Sequence, residues 1–246
     1  MKKFSFKSGS YFFRLKSTWF ESFTFVYKIY FRDIFLTSIR VIIRTGLFNI
    51  YQGVFMAKIS LKPNNDFCPQ TLFLYGTYDE KGNPDFGLFC WFSYIWDCEM
   101  GVMCCIGGNK LTKENIMRDK IFSANLVTED MLPVADYLGC VSGSNPDKMK
   151  IDLDIGKGSV LNVPVLNDSP VIFELEVTDL IKKNNSDIML CKIRNVLQDE
   201  SLSSDETVAQ KLSRIAPVKT TAKTYLGYDG RDMGMWGEPM KYLKIG

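Results

Sequence analysis

The chain has 246 residues, a formal charge of +2 and no histidine. That length holds one large domain or two small ones around a real core. The missing histidine removes Ser-His-Asp and Cys-His nucleophile systems, His-ligated zinc or iron, and imidazole general bases.

Residues 1–55 differ from the rest of the chain. They carry Lys2, Lys3, Lys7, Arg14, Lys16, Lys28, Arg32, Arg40 and Arg44 against Glu21 and Asp33 alone, and about half of the aromatic residues. A secretory signal needs an unbroken apolar run after its basic start, and Lys7, Arg14 and Lys16 interrupt it. A membrane-spanning helix needs roughly 18–20 apolar residues. In the best stretch, 33–55, Arg40 and Arg44 would each cost about 2.5–3.5 kcal/mol at a bilayer centre. Two readings remain: translated upstream sequence ahead of a start at Met56, or a basic amphipathic helix on a membrane surface. The first is preferred. Gln52-Gly53-Val54-Phe55 can be encoded CAA GGA GTN TTY, which sets AAGGAG just upstream of the ATG of Met56. The expected organisation is a single domain over 56–246, with a C-terminal extension from about residue 200.

Within that domain, 71–78 and 86–96 are rich in β-formers, and the turn residues Gly82, Asn83 and Pro84 between them predict a hairpin. A third strand is expected over 101–106. A short helix comes next, over 111–120, with Thr112 as N-cap and Glu114 in its first turn. Residues 121–128 return as a strand, and 129–143 read as a helix opened by Thr128. Alternating strands are expected over 171–181 and 187–198. A helix over 203–215 carries Ser203 and Glu206 at capping-box spacing. The rest is a Gly- and aromatic-rich tail. The fold class is mainly β with helical insertions, a closed or partly closed barrel.

The seven cysteines, at 68, 90, 98, 104, 105, 140 and 191, form no C-x-x-C pair. They read as buried, reduced thiols of a cytoplasmic protein, with no metal site, and Cys90, Cys104 and Cys105 are expected to react slowly. The most informative stretch is "CCIGGNKLTKENI", 104–116: a strand, two glycines, a polar pair and a helix start. Helix N-termini offer unpaired N–H groups and partial positive charge to anions. Lys110 and the Thr112 hydroxyl add a charge and a hydrogen bond, while Lys113 is expected to face solvent. The stretch is neither a Walker A loop nor G-x-G-x-x-G. By itself it reads first as a plain glycine turn before a capped helix, and only second as a phosphate site.

The ordered set "GNPDFGLFCWFS", "CCIGGNKLT..NI", "FSANLV", "ADYLGCVSGSNPDK" and "VPVL..SPVIFELEV" resembles the flavin reductase-like family of FMN-binding split β-barrels, which includes flavoredoxin-type proteins. The resemblance runs from about Lys58 to Glu200. It implies FMN as cofactor, with Phe89, Cys90, Trp91 and Ser93 along the isoalloxazine. Gly107, Asn109, Lys110 and Thr112 fall on the phosphate side, with Asn115 in the "T-x-x-N-I" pattern. It puts Asn125 near the ribityl chain or ring, and Ser142 and Lys148 at the edge of the site. Where relatives have a "D-P-P" segment this chain has Asp97-Cys98-Glu99-Met100, so a loop beside the flavin is expected to differ in shape. The resemblance further implies a homodimer, no nucleic-acid partner, and NAD(P)H or a redox protein as electron donor. Tyr225, Tyr228 and Trp236 of the tail are candidates to close over the flavin, to swap onto a partner, or simply to pack across a dimer. Three functions compete: a nicotinamide-linked FMN reductase, an electron carrier reduced by a protein partner, and a non-redox flavin-binding barrel.

Overall fold

The computed structural model describes residues 58–243, so the readings of residues 1–55 lie outside the described residues. From Pro63 onward the chain forms one compact unit. Its centre is a seven-stranded antiparallel sheet in the order β3 (Pro84–Phe89), β2 (Phe73–Tyr78), β6 (Ile121–Leu126), β9 (Val171–Lys182), β10 (Ser186–Gln198), β5 (Glu99–Gly107) and β4 (Phe92–Asp97). The two edge strands, β3 and β4, are consecutive in sequence and joined by Cys90 and Trp91 alone. So short a link forces the sheet to curl until its edges meet, and the result is a split β-barrel. Phe73 of β2 and Phe92 of β4 stack inside it, ring centroids 4.2 Å apart.

Strand periodicity sorts the core. Phe73 and Tyr75 point into the barrel with Val102, Cys104, Phe122 and Leu175. Leu72 and Leu74 face the other way, onto Leu132, Ala135 and Leu138 of a helix packed outside. That helix is α2 (Leu132–Cys140); α1 (Leu111–Asp119) precedes β6, and α3 (Val208–Ile215) comes after β10. Two short strands, β7 (Ile155–Lys157) and β8 (Pro164–Leu166), pair with each other. Among the described residues no helix is long and apolar enough to cross a membrane.

Several sequence expectations need correction. The run 86–96 is two strands, because the crossing at Cys90-Trp91 breaks it. Residues 97–100 form the β4–β5 hairpin tip, with Cys98 at φ 60, and line neither chamber of the cleft where the barrel edges meet. Helix α3 is capped by Thr207 and Gln210, not Ser203 and Glu206. The Glu206 carboxylate instead accepts from Ser204 and Arg214, and residues 200–203 form a separate 3-10 turn. The tail is ordered: β11 (Lys219–Thr221), β12 (Thr224–Leu226) and β13 (Asp232–Met235) join β1 (Gln70–Thr71) in a four-stranded sheet.

Candidate functional site

Where the barrel edges meet, the chain builds a cleft of two adjoining chambers. The first, about 270 Å³, is mainly apolar and is lined by Leu88–Trp91, Cys105, Gly107, Tyr225 and Trp236. The second, about 380 Å³, is mainly polar and is lined by Asn109–Thr112, Glu114, Val141–Ser144 and Lys148. Leu88, Phe89, Lys110, Gly139 and Cys140 border both. Taken together the two chambers have the volume of a small-molecule site.

Backbone geometry sets this shape. The Phe92 N–H donates to Cys90 O at 3.0 Å and the Cys105 N–H to Trp91 O at 3.1 Å, which ties the crossing to β5. Gly139 allows α2 to end against β3, since a Cβ there would lie 2.7 Å from Leu88 Cβ. Gly108 takes φ 68 to turn the chain from β5 toward α1. Its N–H is spent on Asn185 O at 2.8 Å and is not free for a ligand.

The N-cap of α1 is Lys110, not Thr112. Lys110 is extended (φ −137°, ψ 134°), no side chain caps the helix, and the first helical bond runs from Glu114 N–H to Lys110 O. Leu111, Thr112 and Lys113 therefore present N–H groups without helical acceptors. The exposed Lys110 side chain makes no ion pair among the described residues. Thr112 is the second helical residue and is buried, and its Oγ1 donates to Asp85 Oδ2 at 2.8 Å. Lys148 is also buried: its Nζ meets Asp85 Oδ1 at 2.8 Å and Phe86 O at 2.5 Å. Thr112 and Lys148 thus touch the polar chamber from an internal ion-pair network centred on Asp85, a residue sequence reasoning passed over.

Phe89, Cys90, Trp91 and Gly107 come together at the apolar chamber, and Asn109, Lys110 and Ser142 at the polar one. Three expected residues are elsewhere. Ser93 lines a separate cavity of about 370 Å³ with Cys68, Gln70 and Met103, beyond Trp91. Asn115 Nδ2 donates to Thr77 Oγ1, and its Oδ1 accepts from Arg118. Asn125 is fully buried; it donates to Leu74 O and Ser123 Oγ and accepts from Leu166 N–H, so it ties β2, β6 and β8 together rather than meeting a ligand. Lys113 does not face open solvent but pairs with Asp187 at 3.1 Å.

The thiols also differ from expectation. Cys104 and Cys191 are buried, whereas Cys90 and Cys105 are partly exposed and line the apolar chamber. Cys140, expected among the buried thiols, is exposed and borders both chambers. Burial of the sulfur and the neighbouring Asp136 carboxylate push its thiol up to about 11, while Lys110 pulls slightly the other way. Only thiolates attack, so at pH 8 Cys140 should label roughly a hundredfold more slowly than an ordinary exposed thiol. Cys68 and Cys98 should label fast, and Cys104 and Cys191 only after denaturation. Rapid native modification of Cys140, detected by mass spectrometry of its peptide, would contradict this placement. Among the described residues no group of three or more Cys, Asp or Glu is placed to hold a metal.

This fold and cleft define a split-barrel protein with a two-chambered small-molecule site. The family model for the flavin reductase like domain matches residues 66–219, and the chain belongs to that family. Among solved structures it is similar to flavoredoxin of Desulfovibrio vulgaris (Miyazaki F), at 22% identity and TM-score 0.60 over 70% of this chain and 93% of that one. It is similar also to an FMN-binding protein from Thermus thermophilus with bound p-hydroxybenzaldehyde (19%, TM-score 0.57, 70% and 94% covered). A third is nitrilotriacetate monooxygenase component B from Bacillus cereus (12%, TM-score 0.62, 70% and 96% covered). No curated protein matches the chain.

Proposed function

We propose that this protein is an FMN-dependent oxidoreductase that holds the flavin ring in the apolar chamber and its phosphate in the polar one. The observation that carries the reading is the junction of the two chambers at Lys110, beside a helix start with no side-chain cap. The residues present fit the cofactor. A planar ring needs an apolar, water-poor slot, which Leu88, Phe89, Cys90, Trp91, Tyr225 and Trp236 supply. A phosphate needs N–H donors and a cation, which the first turn of α1 and Lys110 supply. Asn109, Ser142 and Ser144 add side-chain hydrogen-bonding groups. Glu114 also lines this chamber and is the one opposing charge there. FMN, when bound, supplies the electron-transfer chemistry itself. The chain's part is to bind it, orient it and exclude water.

The electron donor in this proposal is NAD(P)H or a redox protein; oxidation of NAD(P)H by the protein and FMN alone separates the two. Large apolar side chains exposed on β4 and β5 (Tyr94, Trp96, Met100 and Met103) support a second copy of the chain as partner.

Lys110→Ala tests the phosphate assignment. A charge-assisted hydrogen bond is worth about 1.5–3 kcal/mol, so FMN should bind roughly tenfold more weakly or worse. Riboflavin, lacking the phosphate, should bind almost as before. Lys81→Ala, in the exposed β2–β3 turn, is the control. Flavin fluorescence quenching gives all the affinities. Equal weakening of FMN and riboflavin would place the phosphate away from Lys110.

A further inference from the structure

The match to the family ends at residue 219, yet two walls of the apolar chamber, Tyr225 and Trp236, come from beyond it. We infer that Trp236 is a specificity-determining residue for the planar ring this chamber accepts, and that buried Asp136 of α2 is the positioning residue that holds it there. The inference deepens the FMN reading and rests on it.

Asp136 is fully buried, and a carboxylate in that position needs donors. It receives them almost entirely from the tail. Oδ1 accepts from Tyr225 Oη at 2.7 Å and from the Gly237 N–H at 2.8 Å, and Oδ2 accepts from the Met240 N–H at 3.0 Å. The Cys140 thiol is a longer fourth donor at 3.5 Å. One side chain thus fastens the tail at β12 and again on the far side of Trp236. Between those points the indole is held on its own account: Nε1 donates to Thr220 Oγ1 at 2.9 Å, and the Trp236 N–H to Lys223 O at 3.0 Å.

A tryptophan fixed at both backbone and ring is nonetheless 49% exposed, and Trp91, lining the same chamber, is 53% exposed. Two half-uncovered indoles around one slot leave apolar faces that a flat aromatic ring would remove from water. The polar chamber does not include Trp236. Its contribution should therefore fall on the ring and be blind to the phosphate.

The test uses the full chain with FMN and riboflavin as probes, read by flavin fluorescence quenching, plus limited trypsin digestion. Trp236→Ala should weaken FMN and riboflavin by the same factor, about tenfold, and Trp236→Phe should restore most of it. Asp136→Asn should reproduce the alanine effect and speed cleavage at Lys223, Arg231 or Lys241. Tyr225→Phe, which removes a single donor, should do the same to a smaller degree and guards against misfolding of the Asn variant. Unchanged affinities in Trp236→Ala, or weakening of FMN alone, would overturn the inference. If the wild-type protein binds neither flavin, the FMN reading and the role of Trp236 fall together. The digestion still decides the role of Asp136, because unchanged cleavage in Asp136→Asn would overturn the clamp.

Discussion

Asp85→Ala should cost about 3–5 kcal/mol of folding stability, the range for breaking one side of a buried ion pair. The pair is deep: the Lys148 and Asp85 side chains are 4% and 3% exposed. Removing the carboxylate strands the Lys148 ammonium with the Phe86 carbonyl as its remaining partner, and leaves the Thr112 hydroxyl without its acceptor. Lys148→Met should be milder in the presence of Asp85→Asn than either change alone, since the double variant leaves no bare charge. Urea denaturation reads this as a lowered midpoint at an unchanged m-value. A loss below about 1 kcal/mol in Asp85→Ala would show that the pair is solvated, in conflict with this placement.

Glu174→Gln should cost about 2–3 kcal/mol and should change the pH dependence of stability. The Glu174 carboxylate is fully buried. It accepts from the Ser159 N–H at 2.9 Å, the Val160 N–H at 2.9 Å, the Leu161 N–H at 2.5 Å and Asn195 Nδ2 at 2.7 Å, which anchors the 158–161 loop to β9 and β10. Burial opposes its ionisation, but the Asn195 and backbone donors outweigh burial and hold the carboxyl below its ordinary value. A group depressed in the folded state contributes stability that is complete above its unfolded value, about 4.3. That contribution disappears as pH falls through the folded value. The gap between wild type and Glu174→Gln should therefore be full at pH 6–8 and shrink below about pH 4. A gap that does not vary with pH would mean that the carboxyl titrates alike in the folded and unfolded chains, and a gap that shrinks as pH rises above about 4 would mean that it stays protonated in the native protein.

The hairpin around Gly82, the paired strands β9 and β10, and the helix start after Gly108 were legible because each carries a local signal: turn residues, two-residue alternation, or a glycine ahead of a polar first turn. What the sequence concealed depended on long-range partners. Thr112 looks like an N-cap by type, but Asp85, far away in sequence, draws its hydroxyl inward. Asn125 and Asn115 are polar residues in expected binding stretches, yet their amides are consumed by crossing strands and helix packing. The tail sheet was hidden for a local reason. Its β11–β12 turn uses Ala222 and Lys223 at φ 47 and 66, where turn chemistry favours Asn-Gly, and strands of three or four residues are too short to show a period. Asp136, buried by α2 and satisfied by residues 225–240, has no sequence signature beyond an acid on an apolar helix face.

In the proposed function the two chambers together hold FMN, ring and phosphate. Parallel titrations of FMN and riboflavin into the purified protein, read by fluorescence quenching, test it most directly. Saturable FMN binding is expected at one site per chain, at least about tenfold tighter than riboflavin because only FMN would engage Lys110 and the first turn of α1. Absence of saturable FMN binding, or equal affinity for the two flavins, would contradict it.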